Sequence, residues 1–437
     1  EVDFTFPKEI KKEILQVDPR YKINLHLGGY LTSDARRVEA LAIISETTQA
    51  MLNVVLHLMN HYPWDLFVVR FNSPDNVQHQ FWSFMDETHP EHRPDSPQVL
   101  KDAIKTVYKE LDQVVAKVHG NIDPATTNLI IMSDHGGGPR SGKSIYVNEW
   151  LRSIGYLSKI GEEATGIRQA IKRWGEDCRF FIKDKVLSLL LRSLSPKIKA
   201  KLMHHIPSAA GMTATFLRFS GINWKHTRAF AGEVEGVRIN LVGKYPMGVV
   251  EPESYDAICD FLIAEARKLT DPETGTRIFK DVLKKTEAFQ GEEAVNFPDL
   301  ILKPEDKYYI SPKFLRTKGK SGGFLAKDDH WRKISGSHRP KGIFIMKGFD
   351  CLAGKDLKEA DIMDICPTVL YQLGVDIPDD LDGRVVKAAF KEEFLGSHSI
   401  SFHQAGTYQG DQQGDVYSDQ EASELRDVLR DLGYIDD

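Results

Sequence analysis

Five side chains of metal-ligand type fall in three separated stretches of the sequence. The first stretch, NSPDNVQHQFW, holds Asp75 and His79 four positions apart. On a helix that spacing puts a carboxylate and an imidazole on one face, where both can ligate a single ion. A helix-capping Asp followed by an exposed His would read the same way. The second stretch, SDHGGGP, holds the adjacent pair Asp134 and His135, followed by Gly136, Gly137 and Gly138. Neighbouring ligands can share a crevice only where the backbone turns sharply. The glycines are expected to supply that freedom and to let the backbone approach an oxyanion. A turn with a capping Asp is the plainer alternative. The third stretch, ISGSHRPKGIFIMKG, places His338 just before an apolar run. Alone, a His in a Gly/Ser loop is a surface residue. His204, His205 and His330 occupy no strand-end position and are read as structural.

In combination these residues carry more than singly. Asp75, His79 and His338 make a two-histidine, one-carboxylate set, and Asp134 with His135 begin a second. Two ions ~3.5–4 Å apart clamp a transferring phosphoryl group, one activating the nucleophile and the other stabilising the leaving oxygen. Mixed Asp/His ligation suits zinc, with manganese as the alternative.

The elements that must position these residues follow from hydrophobic periodicity. A helical period runs from Arg36 to Asn60 and another from Ser96 to Gly120, which ends it. The apolar run Trp64–Phe71 reads as a buried strand delivering the Asp75 loop, and TNLIIMSDHGGGP as a second strand delivering Asp134. Further strands are expected in GVRINLVG, FPDLILKP and GIFIMKG. Helices are expected in SYDAICDFLIAEARKLTD and in IMDICPTVLYQLG, the latter stopped by Gly374. Alternating strands and helices predict an α/β fold, a doubly wound and mostly parallel sheet flanked by helices. In such sheets chemistry sits beyond the carboxyl ends of strands, where both the Asp75 and the Asp134 clusters fall. Residues 155–212 are helical, basic and amphipathic, and read as a helical cap inserted over the sheet, with its apolar stripe on the core. A terminal helix is expected from Gln420 to Leu432.

Composition narrows the class. At 437 residues the chain exceeds the ~250–300 at which one core stops growing, so a large domain with an insertion, or two domains, is expected. Lys and Arg total 57 against 63 Asp and Glu, a formal charge of −6. That balance argues against a stable nucleic-acid complex. Cys178, Cys259, Cys351 and Cys366 are widely spaced and form no CxxC pair. They read as small buried hydrophobes in a reducing compartment, the cytoplasm. No stretch reads as the ~20 apolar residues of a transmembrane segment.

The pieces DNVQHQFW, IIMSDHGGGP and SGSHRPKGIFI, followed by DIMDICPTVLYQLGVDIPDDLDGRVV and the closing LRDLGYIDD, resemble the alkaline phosphatase superfamily in its type I phosphodiesterase and nucleotide pyrophosphatase branch. The resemblance extends from about Trp64 to Leu432, skipping the helical insert. It implies that Asp75, His79 and His338 ligate one metal, and that Asp134 and His135 are two ligands of the other. It also implies hydrolysis of a phosphodiester or nucleotide pyrophosphate, a small-molecule substrate, through a covalent phospho-enzyme. A phosphomonoesterase or phosphomutase uses the same ligand set, and a non-catalytic metal- or ligand-binding protein is the alternative of a different class. The family completes its second site with an early Asp and places a Thr or Ser nucleophile on the helix that follows. Neither is recognisable here, since LTSDARR (Leu31–Arg37) has the wrong order and context. Residues 1–154 are therefore expected to be the N-terminal part of the core without its first strand and nucleophile helix. Residues 155–212 are the cap, and 213–437 are the rest of the core with the C-terminal helix. The chain is expected to be part of a longer enzyme, to pair with another polypeptide, or to be a remnant that binds without turnover.

Overall fold

The structure, a computed structural model, describes residues 5–25, 27, 30–140, 142–160, 221–233, 236–314, 323–327, 334–358 and 360–406. Most of the expected cap, the expected terminal helix, Cys178, His204, His205 and His330 lie outside them. The chain divides into two compact units. The first comprises Glu1–Arg140 with Asp329–Asp437 and the second Ser141–Asp328. The boundaries expected after residues 154 and 212 both fall inside the second unit.

In the first unit, helices α1 (Ile10–Val17), α2 (Asp34–His61), α3 (Ser73–Met85), α4 (Gln98–Lys101) and α5 (Ala103–His119) precede strands β1 (Leu129–Met132) and β2 (Gly136–Pro139). The LTSDARR segment is a helix start. Ser33 Oγ accepts from Arg36 N at 3.3 Å and so caps α2, and Asp34 in the first turn pairs with Arg37 and Arg93. The core of this unit joins Ala40, Leu41 and Ile44 of α2 to Val77, Phe81 and Phe84 of α3 and to Leu100, Ala103, Ile104 and Val107. With ~100° between successive residues, the apolar face of α3 (Val77, Phe81, Phe84) lies opposite the face that carries Asp75 and His79. One side of this helix therefore packs through apolar side chains while the other presents the candidate ligands.

The second unit contains β3 (Lys143–Tyr146), α6 (Val147–Ser153), β4 (Ala229–Glu233), β5 (Gly236–Ile239), α7 (Tyr255–Arg267), β6 (Phe279–Lys284), β7 (Leu300–Pro304), β8 (Tyr308–Ser311) and β9 (Leu325–Lys327). A four-stranded sheet of order β4-β5-β7-β6 is antiparallel throughout. A three-stranded sheet centres on β3, parallel to β8 and antiparallel to β9. Trp150, Leu151, Val237, Ile239, Leu262 and Leu300 form its apolar centre. Lys143 closes an ion pair with buried Asp271 at 2.7 Å.

The chain re-enters the first unit through β10 (Gly336–Arg339) and β11 (Phe344–Lys347). It ends in α8 (Ile365–Gln372), β12 (Ile377–Pro378), α9 (Glu392–Ser397) and β13 (Phe402–His403). β1 pairs antiparallel with β11, and β2 with β10. Gly374 has φ +67° just after α8, the left-handed stop that its position predicts.

Three expectations change. The chain has helices and small sheets, but six of the eight strand pairings among the described residues are antiparallel, so the mostly parallel sheet is not what these strands form. Parallel neighbours need long crossovers, whereas only two residues of sequence separate β4 from β5, too few for anything but the opposite sense. Second, Trp64–Phe71 pairs with no strand among the described residues, and Val68 is 80% exposed with Leu66 at 54%. Its apolar composition signals a strand, but Leu66 and Val68 are left uncovered among the described residues. Val68→Lys is accordingly expected to shift stability by no more than ~0.5 kcal/mol in urea denaturation. A loss of several kcal/mol would mean that the residue is buried in a sheet after all. Third, α2 is long and apolar enough to cross a membrane, contrary to the reading that no segment is. Core helices pass the same test, and Ala40, Leu41 and Ile44 of α2 are buried in the first unit. Cys259 and Cys351 are buried as expected, while Cys366 is exposed.

Candidate metal centre

The ligand-bearing start of α3 is tethered from below. Pro74 occupies the first turn, where a missing N–H costs nothing, and the Ser73 and Thr48 hydroxyls meet at 2.5 Å between α3 and α2. One turn on, His79 is buried at 4% exposure. Its Nδ1 lies 3.0 Å from the Gly336 carbonyl. A carbonyl only accepts, so Nδ1 carries the proton and Nε2 is left as the ligand atom. That Nε2 lies 3.2 Å from Asp75 Oδ1 and 2.9 Å from His338 Nε2, and His338 Nε2 is 3.5 Å from the same Asp75 oxygen.

Asp75 carries the electrostatic signature of the cluster. Burial opposes its ionisation, but His338 and His79 beside it outweigh that and hold the carboxyl well below the usual carboxylate range. Its second oxygen, Oδ2, is buried without a hydrogen-bond partner. An ionised carboxylate among imidazoles with an unused buried oxygen fits a cation better than it fits a closed hydrogen-bond network.

His338 arrives on a strand rather than in the loop that its neighbours suggest. Within β10 it stands opposite Gly137 of β2. The strand is laid against α3 by Ser335, whose N–H donates to the His79 carbonyl at 2.7 Å and whose hydroxyl accepts from Ser83 N at 3.1 Å. Gly336 allows that approach. A Cβ there would stand 2.1 Å from the Gln78 carbonyl oxygen and 3.1 Å from His79 Cα.

The glycines after Asp134 act differently from expectation. Gly136, Gly137 and Gly138 form β2, and none has a positive φ. Lack of a side chain matters more than turning. A Cβ on Gly136 would stand 2.0 Å from the Lys341 carbonyl oxygen. Asp134 sits at the rim with its side chain 60% exposed, and its Oδ1 accepts from His135 N at 3.1 Å. His135 is placed inward. Its ligand atom and those of Asp75 and His338 all lie within 4.8 Å of one another, and its ring lies 3.9 Å from that of His338. Among the described residues, then, Asp75, His79, His135 and His338 converge, and Asp134 stands beside them. The positions of Ser335 and Gly336 had no signal in the sequence, because their contacts are to backbone far away in the chain.

A helix start and two paired strands that converge carboxylate and imidazole atoms supply what a metal-dependent hydrolase requires. A family model for type I phosphodiesterase / nucleotide pyrophosphatase matches residues 5–328. The chain belongs to that family, and so to the alkaline phosphatase superfamily, whose fold is α/β. The match stops short of His338, whose place beside His79 rests on geometry. No curated protein and no solved structure matches the chain.

Proposed function

We propose that the protein is a metal-dependent phosphohydrolase cleaving phosphodiester or nucleotide pyrophosphate bonds. The observation that carries this reading is the approach of Asp75, His79 and His338 to within 3.5 Å of one another, beside Asp134 and His135. A divalent ion, zinc or manganese, would supply a Lewis acid for a phosphoryl oxygen. Asp75, His79 and His338 would hold one such ion, and Asp134 with His135 would contribute to a second. Next to Asp134 a cleft of ≈ 1450 Å³ is lined by Ser133, Lys341, Lys355 and Arg384 among others. Its cations suit the remaining charge of a phosphate ester. No residue of this chain is assigned as the nucleophile, and a phospho-enzyme route needs one.

The test compares bis(4-nitrophenyl) phosphate with 4-nitrophenyl phosphate as substrates, with zinc or manganese added. The diester is expected to be the better substrate, and His338→Ala or Asp134→Ala to reduce turnover to background. Near-normal activity in either variant would overturn the assignment. A preference for the monoester would favour the phosphomonoesterase reading of the same ligand set.

A further inference from the structure

We propose that the C-terminal segment, residues 420–432, seats as a helix in the cleft beside β11 and covers the apolar surface that the described residues leave open there. β1 and β11 form a sheet of two strands only, and two strands need a further layer to be stable in water. Ile343, Ile345, Leu352 and Ile362 line the cleft of ≈ 1450 Å³ beside β11, and each is at least 40% exposed. A helix with one apolar stripe is a layer that such a surface accepts. Residues 420–432 carry that stripe. Leu425, Val428, Leu429 and Leu432 recur at i, i+3, i+4 and i+7, the spacing of a helix that lies in a groove. At ~1.5 Å per residue and ~10 Å in diameter, a helix of that length fills about 1500 Å³. Charge agrees with size. Lys341, Lys347, Lys355, Lys358 and Arg384 line the cleft, and none of them is ion-paired among the described residues. Of the five acids there, Asp356, Asp361 and Asp364 already accept from backbone N–H groups. Residues 407–437 hold nine Asp and Glu against Arg426 and Arg430. With ~100° between successive residues, Glu424, Asp427 and Asp431 fall on one flank of the stripe and both arginines on the other. The acidic flank can therefore meet the lysines.

The segment is also within reach. The chain leaves the described residues at Gly406, next to Ala405, whose N–H donates to Asp379 Oδ1. Asp382 of the cleft is three residues on from Asp379, so the two are at most ~11 Å apart. Residues 407–419 extend to about 45 Å, several times that distance. A tether of this kind gives an effective concentration on the order of 1 mM, so an intrinsic dissociation constant of about 0.1 mM seats about nine segments in ten. Seated there, the segment shares Lys355 and Arg384 with an ester bound beside Asp134, and the two compete for those charges.

The experiment uses the full chain with the exposed Cys366 changed by Cys366→Ser. Ile345→Cys combined with Leu429→Cys is oxidised mildly in dilute solution. The comparison is Val99→Cys, similarly exposed but on α4, combined with Leu429→Cys. Intact and peptide masses should show an internal disulfide in most molecules of the first pair and in few of the second. As an independent measurement, Leu425→Asp with Leu429→Asp should speed maleimide labelling of Ile345→Cys about tenfold, the ratio for nine segments in ten seated. Thermal unfolding shows whether that variant is folded. Equal crosslinking in the two pairs, no crosslink in either, disulfide-linked dimers, or an unchanged labelling rate in folded protein would each overturn the proposal. None of these outcomes decides the phosphohydrolase reading, which is judged by the substrate assay.

Discussion

Phe81→Ala is expected to remove about 3–5 kcal/mol of stability, the cost of deleting a fully buried aromatic ring and leaving its cavity. Phe81 has no exposed surface and sits between Val77 and Phe84 on the packed side of α3. Typical domains are stable by only about 5–15 kcal/mol, so the variant should unfold at a much lower urea concentration. Because α3 also carries Asp75 and His79, zinc affinity should fall with it. A midpoint shift worth less than about 1 kcal/mol would show that α3 does not dock through this face.

Gly336→Ala acts at the other side of the same helix with a smaller change in mass. The added methyl would press on the Gln78 carbonyl and the His79 Cα, both backbone atoms that cannot swing aside. Overpacking of this kind costs about 1–3 kcal/mol. The larger effect should be on metal uptake. The strand that brings His338 would be pushed off the helix that brings His79, and the carbonyl that fixes the His79 tautomer would move with it. Disturbing such supporting contacts lowers metal affinity by about 10–100-fold. Wild-type affinity in a folded Gly336→Ala protein would mean that β10 and α3 are not in close contact.

Local periodicity located the helices well. The run expected from Arg36 to Asn60 is α2, the SYDAICDFLIAEARKLTD segment contains α7, and Gly374 stops α8 as its type requires. Strands were found by apolar content, as in β1, β5, β7 and β11, but their direction was not. Sense depends on which strands meet, and residues 129–132 carry no mark that their partner is 344–347 in the opposite sense. Trp64–Phe71 shows the limit from the other side, since apolar composition predicts burial only where something covers it. For the site, residue types named five candidate ligands, and neighbourhood in sequence grouped His135 with Asp134. The geometry also brings it to Asp75 and His338. Ring orientation is set by carbonyls at Gly136 and Gly336, and backbone atoms leave no trace in residue type.

His79 and His338 touch across 259 positions of chain, and the entire second unit is spelled out between them. An ion that joins them is in effect a reversible cross-link closing a very long loop. The entropy of closing a loop rises only with the logarithm of its length, so the length of the insertion weakens such a clasp little. What it changes is the meaning of stability. Ligands from both ends of the loop come together only in the folded chain, so binding energy there is folding energy. Each tenfold rise in free ion above its dissociation constant then adds about 1.4 kcal/mol to the folded state. With an ion bound there, the folded fraction of the first unit would be a gauge of the free metal around it.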